Sequence, residues 1–257
     1  MSNFLELAQF EFKKMLCKKS VCIVSILSII LTVFRYVGFV SLMPREISGV
    51  NYFIGLADTT ILIIFLITSI CIAPLFAEEY TTRVDKLILA SKNGKSRLIM
   101  AKIIVGISVA VGLFGVLFLV SYIGTLWVWG FETSSQEEWR TFWIYISCAF
   151  IGNVFSAVIC MLFSAKFKST YSAIVVSFLF ILGTRILYFP ESAYLARAII
   201  QLLPIQMANL STASPSFYYS IAGIHIATYQ LIPFVAIGFS SIMIPAAYQI
   251  FKNHQSY

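Results

Sequence analysis

Residues 99–128 read IMAKIIVGISVAVGLFGVLFLVSYIGTLWV, with one charge, Lys102, and no proline. A helix rises about 1.5 Å per residue and a bilayer's hydrocarbon core is about 30 Å thick, so this run is long enough to cross a membrane tilted or overhanging. Comparable runs lie at about 20–43, 53–77, 141–165 and 226–250, with a shorter one at 171–189. The pattern predicts an all-α membrane protein of six transmembrane helices, a single domain over 1–257. The chain is 60% hydrophobic and only 11% charged, with a mean hydropathy of +0.90. That balance argues against a water-soluble fold and leaves little chain for a soluble catalytic domain.

The first apolar run follows Lys18 and Lys19 and is too long for a signal-peptide core, so it is expected to remain as the first span. Before it, Phe4, Leu5, Ala8, Phe12, Met15 and Leu16 recur at helical spacing opposite Glu6, Gln9 and Lys13. This predicts an interfacial helix over 3–17. Lysine and arginine set the orientation: thirteen fall on the side that holds both termini, against Arg45, Arg140 and Arg197 on the other. Both termini are therefore expected in the cytoplasm. Trp127, Trp129, Trp139 and Trp143 flank the loop at 130–138, which marks it as an outer turn at headgroup level. The five cysteines show neither metal-ligand spacing nor an outer pair suited to a disulfide, and read as packing residues.

Between 190 and 225 the chain is punctuated by Pro190, Pro204 and Pro215. The stripe Tyr194, Leu195, Ala198, Ile199, Leu202 and Leu203 predicts a short outer or re-entrant helix before the sixth span, with Ser211 to Ser220 the more flexible part.

The segment joining the second and third spans, Phe76 to Lys102, carries the specific signal. Thr81 or Thr82 reads as a helix N-cap, Asn93-Gly94 as a helix stop, and Val84, Leu87 and Ile88 as a small apolar face on a charged surface helix. Here the chain resembles the permease subunits of the type-2 ABC exporters, through Glu79, Leu87, Leu89, Ser96, Arg97 and Ala101-Lys102. It departs from their pattern at Arg83, where glycine is usual, and at Asn93-Gly94, near a usual proline. The resemblance implies a permease lacking its own ATPase, with no catalytic residues and no cofactor of its own. ATP and magnesium would sit on separate ABC ATPase subunits, and a second permease copy or paralogue would complete the pathway. It implies that Glu78, Glu79, Arg83, Val84, Leu87, Ile88 and Arg97 couple to the ATPase, and that the second and fifth spans line the path. The expected partners are those subunits and the lipid bilayer, with no nucleic acid.

Other chemistry is weighed on the same residues. Glu78-Glu79-x-x-x-Arg83 also fits the first motif of intramembrane CAAX-type proteases, but the chain has only His225 and His254 to complete such a site, neither in the required pattern. Gly94-Lys95-Ser96 resembles the tail of a phosphate-binding loop, yet Leu89 stands where its first glycine belongs. Within the spans, Arg35 and Asp58 lie at similar depth on antiparallel neighbours, which predicts an ion pair, with Arg185 as a second candidate partner. An ion-coupled transporter or channel working through Asp58 is the alternative function. Gly106, Ser108, Ala110, Gly112 and Gly115 predict close helix packing in span three, and Pro74, Pro233 and Pro245 predict kinks or hinges. No metal site and no substrate identity follow from the sequence, beyond a preference for an amphipathic or hydrophobic cargo.

Overall fold

The computed structural model describes residues 2–39, 47–82, 94–132, 134–187, 194–209, 218–221 and 224–254. Helices dominate: α1 (Ser2–Leu16), α2 (Lys19–Phe39), α3 (Gly49–Ile72), α4 (Pro74–Thr82), α5 (Gly94–Val128), α6 (Gln136–Lys166), α7 (Thr170–Ile186), α8 (Tyr194–Gln201), α9 (Pro204–Met207) and α10 (Thr228–His254). Among the described residues, five stretches are long and apolar enough to cross a bilayer: Lys19–Gly38, Gly49–Tyr80, Ser96–Val128, Gln136–Lys166 and Thr228–Asn253. Thr170–Ile186 is apolar but shorter. At about 1.5 Å per residue it spans roughly 25 Å, less than the hydrocarbon thickness.

The long helix α6 is central, packed against α3, α5, α7, α9 and α10. In a bilayer the hydrophobic effect adds little between helices, so close contact must do the work. Phe142 shows how: its ring lies 5.0 Å from Phe53 and 5.3 Å from Trp139, centroid to centroid. Of the predicted small residues in span three, Gly106 takes Met161 against it, whereas Gly112 and Gly115 face open space. At Gly152, halfway along α6, a side chain would meet the Pro204 carbonyl oxygen at 2.6 Å. The segment around α9 therefore reaches the depth of mid-α6. It ends α7 early: Gln206 Nε2 donates to the Thr184 carbonyl at 2.8 Å, satisfying a helix-terminal acceptor that lipid could not.

The tryptophan-rich end is fastened by one carboxylate. Glu138 accepts from Ser48 Oγ (2.8 Å) and Asn51 Nδ2 (2.6 Å) at the start of α3, and closes a capping box with Ser135 at the start of α6. Trp129 stacks on Tyr52 at 4.5 Å and donates its indole N–H to the Ile47 carbonyl. A Cβ on Gly49 would overlap the Gly130 carbonyl oxygen, and Gly130 itself takes φ +71°, which favours glycine.

The short helix predicted before the sixth span is α8. Two expectations need correction. A small antiparallel hairpin, β1 (Tyr218–Ile221) with β2 (Ile224–Ala227), precedes α10, where the end of a flexible stretch and the start of the sixth span are predicted. Four-residue strands are too short for alternation to show in sequence. The Tyr219 hydroxyl ties the hairpin to the Ala198 carbonyl of α8. The cysteines divide, with Cys71, Cys148 and Cys160 buried but Cys17 and Cys22 exposed where α1 meets α2. Thr81 and Thr82 end α4 and Gly94 begins α5, and the surface helix expected between them, with its cap and stop, lies outside the described residues.

Candidate functional site: a buried charge lattice flanking residues 83–93

At the lysine-rich end, the second apolar stretch is broken. α3 stops at Ile72 and α4 restarts at Pro74, whose ring removes an N–H and interrupts the helical ladder. The N–H groups freed at the break find a side-chain partner, and a carbonyl in the first turn of α4 gains a second donor. Ser164 Oγ, on α6, accepts from the N–H groups of Phe76 (2.8 Å) and Ala77 (3.2 Å), and Lys102 Nζ, on α5, donates to the Leu75 carbonyl at 3.0 Å. Tyr80 adds a hydroxyl bond to the Ala165 carbonyl, and Phe76 and Tyr80 both pack on the Phe251 ring of α10.

Lys102 is 1% exposed, so its ammonium has exchanged water for three oxygens. Besides Leu75 these are Glu79 Oε1 at 2.9 Å and Glu11 Oε2 at 3.0 Å. Glu79 also accepts from Lys14 Nζ at 2.9 Å, and Lys18 pairs with Glu78. Glu11, Lys14 and Lys18 belong to α1 and its exit, Glu78 and Glu79 to α4, and Lys102 to α5. Charges this deep persist only when paired and hydrogen-bonded. Partial burial works against the Lys14 charge, but Glu79, with Glu11 and Glu78 behind it, outweighs that and holds its pKa above the usual lysine value.

Of the predicted coupling residues, Glu79 is brought into this lattice and faces the protein interior, Glu78 is half-buried beside it, and Arg97 is exposed near the start of α5. Arg83, Val84, Leu87 and Ile88 lie outside the described residues. Glu11, Lys14 and Lys18 were missed as site residues. The signal that could have found them is Lys102, a lone cation inside an apolar run, which calls for carboxylate partners.

A second charge cluster lies within the spans. Asp58 pairs with Arg185, the second candidate, and not with Arg35, which donates to the Leu56 carbonyl at 2.8 Å. The depth argument brought Arg35 to the right turn of α3. However, Asp58 stands two positions, about 200°, round the helix from Leu56 and faces α7. The side chains of Asp58 and Arg185 remain 39% and 26% exposed, flanked by exposed Asn51, Gly55 and Thr59 on α3.

A family model described as "ABC-2 family transporter protein" matches residues 7–184. The chain belongs to the ABC-2 transporter family. It is accordingly a multi-pass membrane permease of an ABC transporter, a class that associates in general with ABC ATPase subunits and is generally not catalytic itself. No curated protein matches it. The ABC-2 match contains every residue of the lattice and Asp58, and stops one residue short of Arg185. Of the residues the protease motif would use, Glu78 and Glu79 lie far from His225. Glu78 and Glu79 sit at the lysine-rich end in ion pairs, whereas His225, in β2, precedes α10, whose far end packs near α5: Tyr248 hydrogen-bonds Ser96 at 2.7 Å. About twenty helical residues, roughly 30 Å, separate them.

Proposed function

We propose that the chain is the six-span permease subunit of an ATP-driven exporter in the plasma membrane, with both termini in the cytoplasm and α7 counted as the fifth span. Residues 83–93, between α4 and α5, are the segment that engages a separate ATPase subunit, and ATP and magnesium bind there rather than on this chain. The permease works with a second copy or a paralogue, and the faces of the second and fifth spans that carry Asp58 and Arg185 meet the path. An amphipathic or hydrophobic cargo, such as a peptide, lipid or drug, suits the largely apolar spans.

The observation that carries this reading is the lattice itself. Three charged side chains on the two stems of 83–93, Glu78, Glu79 and Lys102, are paired with three from α1 and its exit, and a mere surface loop needs no such bracing. Co-expression with the ATPase provides the test. The two should co-purify, ATP should drive flux in proteoliposomes, and Leu87→Asp should abolish ATP-driven flux while leaving the permease folded. Flux driven by a pH gradient alone and lost in Asp58→Asn would select the ion-coupled alternative instead.

A further inference from the structure

α1, α4 and the first turns of α5 touch through side chains, and among the described residues the ion pairs that join them pass through Lys102, Glu79 or Glu78. The break at Ala73–Pro74 lies immediately before α4. Its free donors are held by a single hydroxyl, Ser164, and the Leu75 carbonyl in the first turn of α4 also accepts from Lys102. On the α7 side of the break, Ala73 and Ala77 meet Ala173 in a fully buried contact edged by Phe167 and Ile174. A helix that is interrupted and capped from a neighbouring helix can change angle without losing an intrahelical hydrogen bond.

We propose that α1, α4 and the start of α5 move as one rigid lever that pivots at Ala73–Pro74 about Ser164, and that Lys102 is the positioning residue that makes them one body. Lys102 lies outside 83–93 and is 1% exposed, so it acts on an ATPase only through Glu79, Glu11 and the Leu75 carbonyl. The inference deepens the ATP-driven reading for α4 and 83–93. Its mechanical half, the shared rigidity and the pivot, stands without an ATPase.

Amide hydrogen exchange on the full permease in detergent tests that mechanical half. In the wild type, α1 and 74–82 should exchange with a common protection factor. Lys102→Met should lower both together by at least tenfold, Lys102→Arg should restore most of it, and Ser164→Ala should loosen 74–82 while leaving α1 joined to it. Independent protection of α1 and 74–82 in the wild type, or loosening confined to one of them in Lys102→Met, overturns the lever. With the ATPase subunit bound, ATP turnover and the rise in protection of α1 on vanadate trapping are read separately. Lys102→Met should lose the α1 response, and an unchanged α1 response overturns the proposal. Failure of the wild type to bind or respond to any ATPase, with the exchange pattern intact, counts against the ATP-driven reading and leaves the lever standing.

Discussion

Replacing Lys102 with methionine keeps the side chain's length and removes its charge from a site that is 1% exposed. Three oxygens at 2.9–3.0 Å lose their donor. Breaking a buried ion pair by deleting one partner costs about 3–5 kcal/mol, because the remaining charge is left without compensation. Lys14, with its side chain 38% exposed, still holds Glu79, so the lower end applies. A loss of about 3 kcal/mol, roughly two decades in an equilibrium constant, is expected. The assay is unfolding in mixed micelles of increasing SDS fraction, followed by circular dichroism, with exposed Lys168→Met as a control expected within about 0.5 kcal/mol of wild type. The triple variant Lys102→Met, Glu11→Gln, Glu79→Gln should recover part of the loss, since the stranded carboxylates are then neutral. A Lys102→Met stability within about 0.5 kcal/mol of wild type would refute the view that the lattice holds this end of the protein together.

Other outcomes follow from the same geometry. Gly49→Ala and Gly152→Ala should each destabilise by about 1–3 kcal/mol or more in the same titration, because each new methyl meets backbone oxygen. Gly112→Ala, facing open space, should be neutral or gain up to about 1 kcal/mol from helix propensity. A small maleimide should modify Cys17 and Cys22 promptly in the folded protein and reach Cys71, Cys148 and Cys160 only on unfolding, which mass spectrometry resolves. Because the Lys14 pKa is raised in the folded state, its contribution is complete below the unfolded value of 10.5 and is lost as pH rises through the higher folded value. Trypsin-independent proteolysis of α1 should therefore be flat between about pH 6 and 9 and accelerate above about pH 10.5.

Much of the architecture was legible because the membrane imposes it. Apolar runs long enough to cross and tryptophans gathered at one end follow from solvation alone and need no knowledge of tertiary contacts. The site was legible only in outline. Glu79 and Lys102 were both singled out as matches to a known pattern, yet their contact with each other, and with Glu11 and Lys14, depends on how α1 folds back across α4 and α5, which no local signal encodes. Of the two partners read for Asp58, the second, Arg185, is the one it takes, for a geometric reason, since depth can be counted along a helix but azimuth requires knowing which neighbour lies on which side. The hairpin before α10 escaped because its strands are four residues each. Pro74 could be read as a kink or a hinge, and only the position of Ser164 shows how the freed N–H groups at that break are met.

The central claim is that residues 83–93, braced by the lattice, meet a nucleotide-hydrolysing subunit in the cytoplasm. A photoreactive amino acid at position 87, activated in cells that express the permease with its ATPase, measures this directly. The account predicts a cross-link from Leu87 to the ATPase subunit, weakened in the Lys102→Met background. A permease that forms no such cross-link while still transporting, or a position 87 labelled by a membrane-impermeant reagent from outside intact cells, would contradict it.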